Sequence, residues 1–303
     1  MKRRAWILRR LLPAAIGYLA LSLAAHAREN PATHVVFPRY FSILDTGKGF
    51  DWIVLQAALE KTSARFGPFT LSPSHEPVSV PRMLQELARP DGAINIIARA
   101  THRDLEAQFQ PIRIPIDRGL MGMRLLLVRQ ADLPRFANVR TLEDLRHLSA
   151  GQGKGWVDSK VLSAAGISVV ESPRPGSLFG MLEAGRFDFF PRALDEAPRE
   201  YDVIRKSHTS IVIEPTLMLR YPLPRYFFVR RDAEGDKLAE RIRAGMEMMV
   251  KDGSLAALFH QHKGPLVERA QIGKRRIIEL HNPELPPETP LQRSELWLTS
   301  SSP

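Results

Sequence analysis

The sequence predicts an α/β fold with two lobes, and three features of the chain lead to that prediction. Short apolar segments alternate with segments whose apolar residues recur at helical spacing, as in strands joined by crossover helices. The pattern restarts after residue 120, which indicates two units of about a hundred residues each. The 303 residues include 44% hydrophobic residues and no cysteine, so the cores form without disulfides, iron–sulfur clusters or thiolate zinc sites.

The first unit contains three predicted strands and two predicted helices. The strands are expected at 33–38, 69–71 and 93–98, and the helices at 51–65 and 80–88. A strand–helix–strand–helix–strand order predicts a parallel sheet with right-handed crossovers. The third strand is apolar along most of its length, so we expect it to be buried on both faces.

The second unit repeats the pattern with more elements. Strands are expected at 123–128, 169–170, 187–190, 210–213 and 226–229, and helices at 141–145, 158–165, 177–184, 236–252 and 255–262. The strand at 226–229 is expected to return the chain to the first unit, so that two segments cross between the lobes as a hinge.

The predicted organisation assigns each part of the chain to a lobe. Residues 28–120 and 224–280 form lobe one, residues 121–223 form lobe two, and residues 281–303 form a tail that either wraps the surface or frays.

The N-terminus has the features of a secretory signal peptide. A basic start is followed by an apolar run at 11–25 and a small–x–small sequence that ends at Ala27. The run is shorter than the ~20 apolar residues that a membrane span needs. We therefore expect cleavage after Ala27 of the segment Met1–Ala27 and a periplasmic location, with an uncleaved N-terminal anchor as the alternative.

Removal of this segment changes the interpretation of the charge. The whole chain has 43 Lys and Arg against 33 Asp and Glu, a net charge of +10. Residues 1–27 hold five of the basic residues and no acidic one, so the mature chain has a net charge of +5. This excess is too small for a nucleic-acid footprint, and we expect no nucleic-acid partner.

Five segments resemble a known family in their order and spacing. They are Gly-Phe-Asp at 49–51, Thr-His-Arg at 101–103, Thr-Leu-Glu-Asp-Leu at 141–145, Leu-Glu-Ala-Gly-Arg-Phe-Asp at 182–188 and Lys-Asp-Gly-Ser at 251–254. Together they resemble the type II periplasmic solute-binding proteins, and most closely the amino-acid-binding branch (solute-binding protein family 3-like) that serves ABC transporters. The resemblance covers about residues 33–265 and implies two lobes, each a mostly parallel sheet flanked by helices.

Two further segments, at 151–158 and 186–192, resemble a proteobacterial subgroup of that family with no assigned ligand. The resemblance implies a monomeric, non-enzymatic receptor without a cofactor, which captures a small polar solute, anionic or amino-acid-like, for an inner-membrane ABC permease. The alternatives are a ligand sensor that acts on a membrane signalling partner and an enzyme on the same fold. We predict no metal site, because His260 and His262 lie two residues apart on a helix and point to different sides.

Arg103 is the first candidate for ligand binding. It follows a buried strand at the carboxyl end, where open α/β sheets bind ligands, and a guanidinium can donate two parallel hydrogen bonds to a carboxylate. In family members the matching arginine binds the α-carboxylate, so the resemblance implies that role here. The alternative is a surface arginine that pairs with Asp104 or Glu106.

The glycine-rich turn before the helix predicted at 158–165 is the second candidate. Glycines at a helix start let backbone N–H groups approach an anion, and the resemblance implies that Gln152, Gly153 and Lys154 help hold the ligand carboxylate. Trp156 either stacks on the ligand or packs inside the lobe. Asp158 either caps its helix, which we favour, or accepts a ligand ammonium.

Three other residues complete the candidate site. Arg192 lies where many family members have an acid that pairs with the α-amino group. A cation at this position favours a dicarboxylate, unless Arg192 is structural and paired with Glu196 one turn later. Tyr40 and Asp45 follow the first strand, where they are either ligand contacts or turn residues.

Overall fold

The computed structural model describes residues 31–40 and 49–298. The predicted signal segment 1–27 lies outside the described residues. Within the described ranges, no helix combines the length and apolarity needed to cross a membrane.

Helices and strands alternate along most of the chain. The helices are α1 (Phe50–Lys61), α2 (Ser63–Phe66), α3 (Val80–Ala88), α4 (Arg103–Gln108), α5 (Leu133–Ala137), α6 (Leu142–Arg146), α7 (Val157–Ala164), α8 (Leu178–Glu183), α9 (Ala197–Ile204), α10 (Ala233–Lys251) and α11 (Ser254–Ala270). The strands are β1 (Thr33–Tyr40), β2 (Phe69–Val78), β3 (Ile96–Ala100), β4 (Gln110–Ile112), β5 (Met123–Arg129), β6 (Ser149–Gly153), β7 (Ser168–Ser172), β8 (Phe189–Ala193), β9 (Ile211–Ile213), β10 (Leu217–Arg220), β11 (Arg225–Val229) and β12 (Arg276–Glu279).

Lobe one is built on the strands β1 to β4 and β11. Strands β1 and β2 pair in parallel, while β11 pairs antiparallel with both β3 and β4 and so returns the chain to the first unit. Asn95 links the two groups of strands, because its N–H donates to the Val36 carbonyl (3.3 Å) and its Oδ1 accepts from the Val36 N–H (2.9 Å). Helices α1 and α10 bury apolar residues such as Leu55 and Ile242 in the core of this lobe.

Lobe two contains a seven-stranded sheet in the order β12-β10-β5-β8-β6-β7, with β9 paired to β5. The pairs β6–β7, β6–β8 and β10–β12 are parallel, and the three pairs that β5 makes are antiparallel. The assignment of 224–280 to lobe one is wrong for β12. Its residues pair in parallel with β10, from Leu217 opposite Arg276 to Arg220 opposite Glu279, and this places β12 in the sheet of lobe two.

The predicted helix at 51–65 is divided in two. The hydroxyl of Thr62 donates to the carbonyls of Ala58 (2.9 Å) and Leu59 (3.0 Å), and α1 ends there. By contrast, the helix predicted at 255–262 continues as α11 to Ala270, past Pro265. The candidate residues that the structure describes lie in the last residues of β1, β6 and β8 or shortly after β3 and β6.

Candidate functional site

Arg103 begins α4, directly after the carboxyl end of β3. The helix is capped by His102, whose Nδ1 accepts from the Leu105 N–H at 3.3 Å. The Arg103 side chain is exposed, and within the described residues it forms no ion pair with Asp104 or Glu106. Arg103 is therefore a cation at a strand end whose guanidinium donors are not used by the described chain.

Glu106 is unavailable to Arg103 because other groups of lobe one hold its carboxylate. It is buried, accepts from the hydroxyl of Thr101 and forms an ion pair with Arg113. The two acids near Arg103 thus differ, since Glu106 stabilises the lobe while Asp104 is exposed.

The cap residue of α4, His102, is half-buried and has charged groups around it. Burial lowers the pKa of His102, and the charges of Asp104 (which raises it) and Arg99 (which lowers it) act next, followed by Glu284 of the C-terminal segment and Lys160 of α7. Lys160 and Glu284 pair with each other at 2.9 Å.

The glycine-rich segment is a strand for half of its length, which corrects the predicted turn. Residues 149–153 form β6, and the turn is confined to Lys154 and Gly155. The glycines are needed because aromatic rings pack directly on the backbone of β6, one from a distant part of the chain and one from the turn that follows. A Cβ on Gly151 would lie 2.2 Å from the ring of Phe187, and one on Gly153 would lie 2.4 Å from the ring of Trp156.

Gln152 is the most unusual residue of this segment. Its side chain is 0% exposed, and neither its amide oxygen nor its amide nitrogen has a hydrogen-bond partner within the described residues. A buried amide without partners costs free energy, so the structure marks Gln152 as a group that needs a polar partner.

Lys154 and Trp156 have different surroundings. Lys154 is exposed, its N–H donates to the Ser172 carbonyl (2.8 Å), and its ammonium makes no ion pair within the described part of the chain. Trp156 is half-buried and stacks on Phe190, with ring centroids 6.4 Å apart and planes 20° apart. The guanidinium of Arg192 lies 4.8 Å from the centroid of the Trp156 ring. Of the two alternatives for Trp156, packing inside the lobe is thus observed.

Asp158 does not cap α7, and the capping prediction is wrong. The helix begins after Trp156 without a side-chain cap. The buried carboxylate of Asp158 instead accepts from the hydroxyl of Tyr221 and pairs with Arg124 at 2.6 Å. The attraction of these tertiary partners holds the side chain away from its own backbone.

Arg192 is held by two carboxylates of lobe two. Its guanidinium donates two bonds to Glu200, at 2.6 and 2.7 Å, and lies 3.0 Å from a carboxylate oxygen of Glu196. Burial opposes its charged form, but Glu196 and Glu200 outweigh that effect and raise the pKa of Arg192. The geometry is that of the structural alternative, although Glu200, eight residues away, is the closer partner.

The candidates after β1 are described only in part. Tyr40 is the last residue of β1, and Asp45 lies outside the described residues.

Sequence reasoning missed the buried charges beside the hinge. Arg124 is 3% exposed on β5, and Tyr221 follows β10. Asp117, ahead of β5, is buried and accepts from the N–H groups of Gly119 (3.1 Å) and Met121 (3.2 Å). Burial, followed by repulsion from other carboxylates, raises the pKa of Asp117 to about 7. The sequence did contain a signal for this residue, because Arg124 is a charged residue beside the apolar run of β5 and therefore needs a buried acidic partner.

A cavity of about 700 Å³ lies elsewhere, at the amino end of β1. Its lining includes Thr33, Glu240 and Arg241 and none of the candidate ligand-binding residues. The guanidinium of Arg241 donates to oxygens of the chain through all three of its nitrogens, so this residue offers no free donor to a ligand in the cavity.

Comparisons with known proteins place the fold. No protein-family model and no curated protein sequence matches the chain. Among solved structures, an ancestral arginine-binding protein bound to arginine matches with a TM-score of 0.51 and 19% identity, over 78% of this chain and 99% of that one. An amino acid ABC transporter substrate-binding protein from Streptococcus pneumoniae, bound to L-arginine, matches with a TM-score of 0.52 and 16% identity, over 77% and 94%.

A third similar structure is a histidine kinase sensor domain with similarity to periplasmic binding proteins. It has a TM-score of 0.50 and 16% identity, over 78% of this chain and 97% of that one. At these identities the likeness shows the fold alone. The chain has the two-lobed α/β fold of the periplasmic binding proteins, as the order of its motifs predicted.

Proposed function

We propose that the protein is a periplasmic solute-binding protein that holds a small anionic or amino-acid-like solute between its lobes for an ABC-type permease. In this proposal residues 1–27 direct export and are removed, and the mature chain works as a monomer without catalysis. The observation that carries the proposal is Arg103, an exposed guanidinium at the carboxyl end of a buried strand, without an ion-pair partner in the described chain.

The charges of the two lobes indicate which groups are available to a solute. Arg192 is neutralised by Glu196 and Glu200, so it does not supply the second cation that a dicarboxylate requires. In this proposal Lys154, exposed at the turn after β6, supplies the second cation in place of Arg192. Gln152, with its unpartnered amide, is the neutral group of lobe two that a polar solute would satisfy.

The test is a thermal-shift screen of residues 28–303 against amino acids, dicarboxylates, polyamines and short peptides. A solute at 100 times its dissociation constant stabilises the fold by about 2.7 kcal/mol, which is a measurable shift. We expect an acidic or amino-acid solute to give this shift.

The variant Arg103→Ala should lose the shift without losing the fold, because Arg103 holds no partner in the described chain. Arg243→Ala is the matched control, since Arg243 is also an exposed arginine and lies on α10. An Arg103→Ala protein that keeps the full shift would remove the basis of the proposal.

A sensory role is the second candidate, and the structural likeness to a sensor domain supports it. Affinity capture with the solute-loaded mature protein separates the two roles. Recovery of a permease supports uptake, whereas solute-dependent recovery of a membrane kinase supports signalling.

A further inference from the structure

The two lobes are joined by more than the hinge segments that precede β5 and β11. Helix α11 begins on lobe one, where Leu255 is buried in the core beneath α1. It ends on lobe two, where Ala270 is buried in a cluster with Met123 and Met218 of the large sheet. A single helix therefore has each end embedded in a different lobe.

Helix α11 contains a weak point in the half that packs on lobe two, after Phe259, which is buried in the same cluster as Ala270. Pro265 lies inside the helix and follows Gly264. Proline lacks the N–H that would bond to the fourth preceding carbonyl, and glycine adds backbone freedom, so the helix is least stiff here. Lys263, immediately before this point, forms a largely buried ion pair with Asp195 of lobe two.

The C-terminal segment makes a second connection between the lobes. We call residues 281–298 the strap. On the lobe-two side, Glu284 pairs with Lys160 of α7 at 2.9 Å. On the lobe-one side, Arg293 donates two bonds to Glu247 of α10, at 2.7 and 2.9 Å, and Leu296 is fully buried in the lobe-one core.

The end of the strap is attached to the hinge itself. Arg118 and Gly119 have positive φ angles of 55° and 78°, in the segment that enters lobe two. The Leu298 N–H donates to the Arg118 carbonyl (2.8 Å), and the Arg118 guanidinium donates to the Trp297 carbonyl (3.1 Å). A Cβ on Gly119 would lie 2.6 Å from Cε3 of Trp297, so the indole packs directly on the hinge backbone.

We propose that the strap and α11 together set the angle between the lobes. Hinge motion requires a few residues to absorb φ/ψ changes, and Trp297 packs on one of the residues that would have to change. The strap holds the hinge at one setting, and the Gly264–Pro265 joint lets the lobe-two half of α11 bend when the lobes move. This inference concerns the solute-free chain and stands apart from the identity of any solute.

Distances between spin labels on the two lobes test the proposal. The chain has no cysteine, so Ala64→Cys on lobe one and Ala164→Cys on lobe two provide two exposed labelling sites. Double electron–electron resonance on the solute-free mature protein should give one narrow distance distribution. Trp297→Ala should broaden it and shift its mean by a few ångströms.

Two further variants keep the test decisive. Arg293→Ala removes a partly exposed anchor and should also broaden the distribution, even if Trp297→Ala does not fold. Leu291→Ala is the matched control, because Leu291 lies in the same strap and is 45% exposed. Distributions of unchanged width in Arg293→Ala and in folded Trp297→Ala, or an equal broadening in Leu291→Ala, would overturn the proposal.

The outcome is separable from that of the proposed function. A broadened distribution in Trp297→Ala, together with no solute response in the thermal-shift screen, would support the strap and refute the receptor. A solute response in the screen, together with unchanged distance distributions in the strap variants, would support the receptor and refute the strap.

Discussion

Lobe one and lobe two each bury arginine side chains, but they stabilise them in opposite ways. Arg241, 1% exposed in lobe one, has no carboxylate partner within the described residues. Its donors go to neutral oxygens: Thr33 Oγ1 (2.7 Å), the carbonyls of Gly67 (2.8 Å), Leu59 (3.3 Å) and Pro68 (3.3 Å), and Thr62 Oγ1 (3.3 Å). Burial accordingly lowers the pKa of Arg241.

Lobe two uses carboxylates instead. Arg124 and Arg192 are comparably buried, but they pair with Asp158, Glu196 and Glu200, and these acids raise the pKa of both arginines despite burial. The comparison shows two uses of one side chain. In lobe one the arginine joins backbone segments permanently, whereas in lobe two it belongs to an ionic network whose balance a bound group or a proton could change.

The largest expected effect comes from Arg241. Arg241→Met keeps the aliphatic volume but removes the five hydrogen bonds that the guanidinium donates, among them the one to the Gly67 carbonyl at 2.8 Å. At about 1 kcal/mol for each lost hydrogen bond, we expect a loss of about 3–5 kcal/mol in the free energy of unfolding. Urea unfolding measures this loss, and a value below about 1 kcal/mol would show that Arg241 does not hold the segments together.

Asp158→Ala is expected to have the next largest effect, because it leaves Arg124 charged and buried without its closest acid. Breaking a buried pair in this way costs about 3 kcal/mol. In the double variant Arg124→Met with Asp158→Ala, no charge is stranded, so much of this loss should be recovered. Urea unfolding of wild type, Asp158→Ala, Arg124→Met and the double variant gives the coupling free energy between the two side chains. Losses that simply add in the double variant would contradict an ionic network in lobe two.

The smallest expected effect is the change in the free energy of unfolding with pH that Asp117 causes. The folded pKa of Asp117 is raised to about 7, first by burial and then by Asp195, while Asp51 also repels it and Arg225 and Lys263 attract it. The folded state therefore binds this proton more tightly than the unfolded state. Its stabilising contribution is complete at pH values below the ordinary aspartate pKa and is lost as the pH rises through about 7.

Lowering the pH from 8 to 6 should thus increase the free energy of unfolding by about 1 kcal/mol through Asp117. The measurement is the difference between wild type and Asp117→Asn at each pH. This difference cancels the opposite contribution of His102, whose folded pKa is lowered. A difference that does not change between pH 8 and 6 would contradict a raised pKa at Asp117.

The sequence predicted those features of the fold and site that depend on local patterns. Apolar periodicity predicted most helices of lobe one to within a few residues, and the order of weak motifs predicted the fold. The pairing of Arg192 with Glu196 was predicted from helical spacing and is present, but for another reason: Arg192 lies in β8 and Glu196 lies in the turn before α9.

The features that the sequence did not predict depend on distant partners. Asp158 has the position of a helix cap, but Arg124, 34 residues earlier, attracts its carboxylate. Gly151 suggested a turn, and only the ring of Phe187, 36 residues later, shows why a glycine lies in the strand. Strand β12 is short and charged, so its place in the lobe-two sheet became visible only through its pairing with β10.

The most direct test of the account is the binding of the best solute from the screen to Arg103→Ala, measured by isothermal titration calorimetry beside wild type and Arg243→Ala. We predict that Arg243→Ala binds as wild type does and that Arg103→Ala shows no binding at the same concentrations, with unchanged thermal stability in the absence of solute. Equal affinities in all three proteins would contradict the assignment of Arg103 as the solute-binding arginine.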